Sequence, residues 1–380
     1  MTRFNAELFD ASVVNSITDF CKNVIGPEAR ITDQQARASA IYHRKALSEM
    51  GIMGLNLPSE YGGMGLDAFT FLESMATLSG TCASTGSFVS AHFLASDSIK
   101  FGGSEEQRQK YLPQLASGEA IGAFALTEPT AGSDPASMST KAVRDGDFYH
   151  IKGTKHFISN AGFADLLVVY ASTNPVAGGK GISAFVVERK NGGVTLGKAE
   201  ATMGLRGAHA FEFSIDAKVP AANILGEEGS GFRTAMKTLD AGRIDIAMCS
   251  VGIAEAAYAA ALEWIKTRKM GGVNISSYQG LQWMLADMAT DIAAARGLCL
   301  ATIHKRVNGE RYSLEASMAK LFASEMAGRV TDMALQIHGG YGFTQSYDVE
   351  RYVRDARIMR IYEGTSEIQR NIISRALLAD

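Results

Sequence analysis

Cysteine is scarce in this chain of 380 residues, and the four present, Cys21, Cys82, Cys249 and Cys299, form no C-x-x-C pair. That spacing excludes a zinc ribbon or a disulfide framework and fits a reducing compartment. The N-terminal stretch MTRFNAELFDASVV has no basic region followed by an apolar one and no Arg-rich amphipathic presequence. The expected location is therefore the cytoplasm, or the mitochondrial matrix for a processed form. No uninterrupted apolar run reaches the roughly 18 residues that a membrane span needs. Net charge is only −3, which argues against nucleic acid or an anionic membrane as the main partner. Repeats and low-complexity tracts are missing too, and no metal is expected, because His338 has no second ligand at a suitable spacing.

What is present is apolar mass. Hydrophobic residues are 46% of the chain against 20% charged, enough for a sizeable core, and the length predicts two or three subdomains. Apolar positions recur at three and four residues in ASVVNSITDFCKNVI, ARASAIYHRKALSEMGI, DAFTFLESMATLS and SFVSAHFLASDSIKF, which predicts helices over residues 1–119. Between 120 and 225 the period shortens. AIGAFALTE, FYHIKGTKHFIS, DLLVVYAST, ISAFVVER and AFEFSIDAKVP read as strands, with RDGD at 144–147 as a hairpin turn. From 226 to 380 long Ala-rich helical stretches return, beginning with FRTAMKTLDAGRIDIAMCSVGIAEAAYAAALEWIKTR, and predict an antiparallel bundle. The fold class is mainly α with a middle β-domain, and a cleft between domains is expected.

Four stretches carry chemistry. ALTEPTAGSD (125–134) leaves a strand for a Gly-containing loop that can turn amides and the hydroxyls of Thr127 and Ser133 toward one acceptor-rich ligand. In KHFISNAG, Phe157 and Ser159 share a strand face able to hold a flat heterocycle, although such pairs are more often strand packing. QIHGGYGF (336–343) reads locally as a helix end and turn, with His338 a hydrogen-bonding loop residue. In RIYEGTSEIQR, Ser366 and Gln369 read as a capping box for a helix with the apolar stripe Ile368, Ile372, Ile373 and Leu377. Glu363 is then a charge placed just before a helix N-terminus.

These stretches, with RKMGGVNISSYQGLQWMLADM, LPSEYGGMGLD and GGSEEQRQKYLPQLASGE, occur in an order and at spacings that resemble the acyl-CoA dehydrogenase family along essentially the whole chain. The resemblance implies an N-terminal helical domain, a β-barrel or sandwich domain and a C-terminal four-helix bundle, assembled as a homotetramer that binds FAD at a subunit interface. It implies that Phe124, Leu126, Thr127, Gly132 and Ser133 follow the flavin and its ribityl chain, that Phe157 and Ser159 pack on and hydrogen-bond the ring, and that Thr365, Ser366 and Glu367 approach the pyrophosphate. From a neighbouring subunit it brings Arg268, Gln279, Gln336, Ile337, His338, Gly339 and Gly340 to the pyrophosphate and adenosine. Ser133, Asp240, Arg243 and Gly364 match acyl-CoA contacts, and Glu363 falls on the catalytic base.

The activity so implied is α,β-dehydrogenation of a short-chain, branched or functionalised acyl-CoA to trans-2-enoyl-CoA. Glu363 takes the α-proton, the β-hydride passes to flavin N5, and an electron-transfer flavoprotein accepts the electrons. In the family the thioester oxygen is held by a ribityl hydroxyl and by the amide of the base, an oxyanion hole for the developing enolate. Some branched-chain members carry the base near the position of DAGR (240–243), but here that neighbourhood has Gly242 and no glutamate, with Asp245 a lesser competitor. Ser96, Asp97 and Asp245 are expected to make part of the acyl pocket polar. Gly271 stands where many members have Phe, predicting a more mobile loop and a lost cofactor contact. The alternatives are an oxidase or desaturase acting on a carrier-protein thioester and, from another class, a non-catalytic relative of the fold with a basic C-terminal surface.

Overall fold

The computed structural model describes residues 8–379. The first seven residues, part of the N-terminal stretch discussed above, lie outside the described residues. Helices α1 (Ala11–Phe20) and α2 (Gly26–Gln34) flank a widened π turn over Cys21–Ile25, and Asp10 caps α1 through the amides of Ser12 and Val13. The single helix expected over 36–52 is broken into α3 (Ser39–Tyr42) and α4 (Arg44–Glu49). Tertiary bonds override the periodicity there: Ser39 N donates to Gly207 O, and His43 Nδ1 bonds Thr85 Oγ1 at 2.9 Å. Then come α5 (Ala68–Thr81), capped by Asp67, α6 (Ala83–Gly102), and α7 (Glu105–Ala116), which opens with a Ser104/Gln107 capping box.

The middle domain is one seven-stranded sheet: β1 (Gly122–Ala125), β2 (Lys141–Asp145), β3 (Phe148–Ser159), β4 (Leu166–Ser172), β5 (Ile182–Glu188), β6 (Val194–Ala199) and β7 (Ala210–Pro220). The order is β1-β4-β2-β3-β7-β6, with β5 added on β4. Asp145 and Phe148 close the β2–β3 hairpin around Gly146, whose φ of 59° suits a residue without Cβ. β4 and β5 are buried along their whole length, which explains their unbroken apolar runs.

The last part comprises α8 (Gly231–Thr267), a small hairpin of β8 (Lys269–Met270) and β9 (Val273–Asn274), α9 (Gln279–Val307), α10 (Ser313–His338), α11 (Val349–Arg357) and α12 (Ser366–Leu377). Gly271 and Gly272, at φ 56° and 82°, form the hairpin turn, so the stretch expected to be a mobile loop is a tight two-residue connection. By length and apolar composition α8 could cross a membrane, yet 72% of its apolar window is buried inside the protein, where it packs on α5, α6, α9 and α10. One apolar cluster runs from α1 through β3 and β7 into α8 and α10, which fixes the walls of the cleft against one another.

Candidate active site

A cavity of about 570 Å³ opens where α6, β1, β3, α8 and the approach to α12 converge. Glu363 lies on its wall in the left-handed region, φ 53°, followed by Gly364 at φ 93°. A non-glycine residue held there carries strain of about 1 kcal/mol or more and persists only when its neighbours impose it. They do so from three sides. Lys320 Nζ donates to Gly364 O at 2.7 Å, and Gln369 Nε2 donates to the carbonyls of Gly364 and Glu363 at 3.0 and 3.2 Å. Thr365 Oγ1 accepts from Ile368 N and so caps α12. The capping residue is thus Thr365, one position before the expected Ser366, which is the first helical residue and donates to Glu325 Oε1 at 2.7 Å. Gln369 does not close a box; it turns back to fix the hinge.

The carboxylate itself is poorly provided for. Glu363 Oε2 is shielded from solvent and has no hydrogen-bond partner among the described residues. Loss of solvent pushes its pKa up to about 7; Lys320 and Arg243 pull it down and Asp97 adds to the rise. As a residue Glu363 is only half-buried and it lines the cavity, so shielding of Oε2 goes with access to the residue from the cavity side. Space for that tip exists because α8 carries Gly242 there: a Cβ on Gly242 meets Glu363 Oε2 at 2.4 Å. Among the described residues no group accepts the Glu363 N–H.

The opposite wall is the β-domain. Phe124, Leu126, Thr127, Gly132, Ser133, Phe157 and Ser159 all line the cavity. Phe157 arrives by a device that strand alternation does not reveal. Lys155 pairs with Phe213 and Ile158 with Phe211, so β3 takes three steps where β7 takes two; in this bulge Phe157 adopts φ 56° and is left 61% exposed. An aromatic face, three hydroxyls and a backbone open at Gly132, where a Cβ meets nothing closer than 4.0 Å, fit a flat heterocycle with a hydroxylated chain. FAD meets that description.

Of the residues expected to contact acyl-CoA, Ser133, Arg243 and Gly364 line the cavity, and Asp240 does not. Asp240 holds Arg243 from behind, Oδ1 to Nη1 at 2.5 Å, while Arg243 Nε is buried without a partner. Arg268, Gln279 and the run 336–340 lie away from the cavity; Arg268 sits over the rings of Trp264 and Tyr341, and His338, at the end of α10, stacks on Trp264 and bonds Ala334 O at 2.8 Å. Thr365, Ser366 and Glu367 also stay off its lining. Sequence reasoning missed Ser87, Ser90, Leu94, Met236, Leu239 and Tyr362, which complete the walls from α6, α8 and the Glu363 hinge. None of these six was singled out in the sequence. The polar residues singled out there stand elsewhere: Asp97 lines a separate cavity of about 260 Å³ with Asn56, Lys100 and Arg306, while Ser96 and Asp245 line neither.

The whole chain matches known proteins. The acyl-CoA dehydrogenase N-terminal, middle and C-terminal domain models match residues 10–119, 123–217 and 229–378. The chain is 43% identical to the short-chain specific acyl-CoA dehydrogenase of Clostridium acetobutylicum, with 98% of each chain covered. It is 43% identical to the CarC subunit of the caffeyl-CoA reductase-Etf complex of Acetobacterium woodii, with 87% of this chain and 88% of that one covered. Butyryl-CoA dehydrogenase from Megasphaera elsdenii superposes with a TM-score of 0.94 at 39% identity, with 97% of each chain covered. A shielded carboxylate facing a flavin-sized cavity, on a chain matched from residue 10 to residue 378, makes this protein a member of the acyl-CoA dehydrogenase family of FAD-dependent oxidoreductases.

Proposed function

We propose that the protein dehydrogenates a short-chain acyl-CoA to its trans-2-enoyl thioester, with Glu363 as the base that removes the α-proton. The observation that carries this reading is Glu363 on the cavity wall, with its carboxylate shielded, without a partner at Oε2 among the described residues, and raised to about 7. A base of that pKa is matched to proton transfer near neutrality, where a surface glutamate is too weak. Its own amide, which finds no acceptor among the described residues and precedes the pinned Gly364, is a donor for the thioester oxygen as negative charge develops there. Lys320 and Arg243 oppose further rise of the pKa, so the residue stays ionised enough to act. FAD, when bound, supplies the acceptor for the two electrons leaving the β-carbon. Leu94, Met236 and Leu239 give the acyl chain an apolar bed, and similarity to a short-chain specific relative supports a short acyl group.

Two further parts belong to the same reading. Residues assigned to the far end of FAD lie outside the cavity on a surface with Trp283 at 61% and Phe343 at 87% exposure, which supports completion of the site by a second copy and a homotetramer. Similarity to a subunit of a reductase-Etf complex supports an electron-transfer flavoprotein as electron partner. It also favours reversibility, with neutral Glu363 returning the proton to the α-carbon. Anaerobic titration of the yellow protein with C4 to C8 straight and branched acyl-CoAs tests the proposal. Bleaching by the short esters, slowed about 10³-fold in Glu363→Gln, is the expected result; no bleaching by any acyl-CoA, or an unimpaired Glu363→Gln, would overturn it.

A further inference from the structure

Behind the β-domain wall lies an ion pair that no part of the mechanism uses. Lys155 and Glu128 have side chains of zero exposure, and Lys155 Nζ donates to Glu128 Oε1 and to Leu126 O, each at 2.9 Å. Glu128 is fully engaged as well. Its Oε2 accepts from Ser139 N and Oγ at 2.6 Å, and its Oε1 accepts from Thr140 N at 3.0 Å. Its backbone exchanges two hydrogen bonds with Ala131, and His156 N donates to Thr127 O. The loop from Leu126 to Thr140, which presents Leu126, Thr127, Gly132 and Ser133 to the cavity, is therefore fastened at both ends to one buried ion pair, at Leu126 to the lysine and at Ser139 and Thr140 to the carboxylate.

The lysine has a second connection, through the chain. It is the last residue of β3 in register before the bulge that swings Phe157 into the cavity, and Ser159 follows the bulge. Lys155 thus joins two walls that share few other bonds: the loop by hydrogen bonds, the ring-facing segment by two peptide units. For stability alone the arrangement is wasteful. Removing both charges from water costs several kcal/mol each, and an apolar pair of similar volume is often as stable or more so. What an apolar pair cannot do is fix two segments at a set spacing with directional bonds.

We propose that Lys155 and Glu128 are positioning residues for the cofactor, setting the separation and register of the walls that face the flavin. This rests on the reading that the cavity takes FAD. Desolvation pulls Lys155 below the usual lysine range while Glu128 holds it up, and Glu128, pushed up by desolvation, is brought below the usual carboxylate range by Lys155 and the Ser139 and Thr140 donors.

The test separates positioning from folding. Lys155→Met should raise the FAD dissociation constant about 30-fold, and Glu128→Gln, which keeps an acceptor oxygen but loses the charge, about 5-fold. The double variant Lys155→Met with Glu128→Leu removes both charges. Its apoprotein should melt within a few degrees of wild type while its FAD affinity and the resolution of its bound flavin spectrum stay degraded. FAD binding at wild-type strength in that double variant would overturn the proposal, as would a Lys155→Met protein whose melting temperature falls equally with and without FAD and whose dissociation constant is unchanged. A wild-type protein that takes up no FAD would instead sink the flavin reading of the cavity.

Discussion

Two buried charge clusters in the helical part are built alike and finished differently. Around Arg296 on α9, Nη1 and Nη2 meet Glu73 of α5 at 2.8 and 3.1 Å, and Nε and Nη2 meet Glu255 of α8 at 2.8 and 2.9 Å. Around Glu363, Arg243 Nε and Glu363 Oε2 are buried with no partner among the described residues. The first cluster closes on itself and binds three helices together. The second leaves capacity unused on residues that line a cavity, which is costly in the folded protein unless something arrives to use it. Completeness of hydrogen bonding, rather than charge or burial, distinguishes a structural cluster from a catalytic one here.

The contrast can be broken experimentally, beginning with the catalytic side. Glu363→Gln should slow flavin bleaching by short acyl-CoA about 10³-fold in rapid-reaction measurements, within the range that general bases contribute, while leaving FAD bound. Arg296→Met should do the reverse. It removes the guanidinium shared by the buried Glu73 and the part-buried Glu255 and should cost about 3–5 kcal/mol in denaturant unfolding, with the bleaching rate of the folded fraction changed less than about twofold. Gly242→Ala puts a Cβ 2.4 Å from Glu363 Oε2 and 2.9 Å from Leu94 Cδ2, so the base must shift; a fall of about 10-fold in kcat with an unchanged flavin spectrum is expected.

The smallest effect concerns pH. Glu363 rises from 4.5 to about 7 on folding, so the folded state holds a proton that the unfolded chain has lost. Stability due to this group is present below pH 4.5 and lost as pH climbs to about 7. Glu363→Gln has no such loss, so its melting temperature should exceed that of wild type by an amount that opens between these values and is flat above. Activity moves the other way in the same window: kcat/KM should rise with pH as the base ionises.

Much of the fold was legible because its elements obey local rules. The stretches 148–159 and 210–220 are strands to the residue, and α8 departs by one residue at each end from the helical run seen in the sequence. β2 and β6 were passed over because short, largely exposed strands lack an apolar pattern. The site was harder. Helix-start rules make Glu363 a solvated charge, and nothing near it in sequence says otherwise; its shielding is imposed by Leu94 and Gly242, far away along the chain. Only the family resemblance put it forward as the base. The Lys155–Glu128 strut stayed invisible for the same reason, since a lysine in a strand and a glutamate in a loop are unremarkable until packing removes the water from both.

Gly242 also sets how many acids the site can hold. The volume that a side chain at 242 would fill is occupied by the carboxylate of residue 363, so α8 and the segment before α12 offer a single berth between them. A glutamate placed at 242 beside the one at 363 would drive two like charges into one space with little water. The bare α-carbon of Gly242 is thus as much a part of the base as the carboxylate it makes room for.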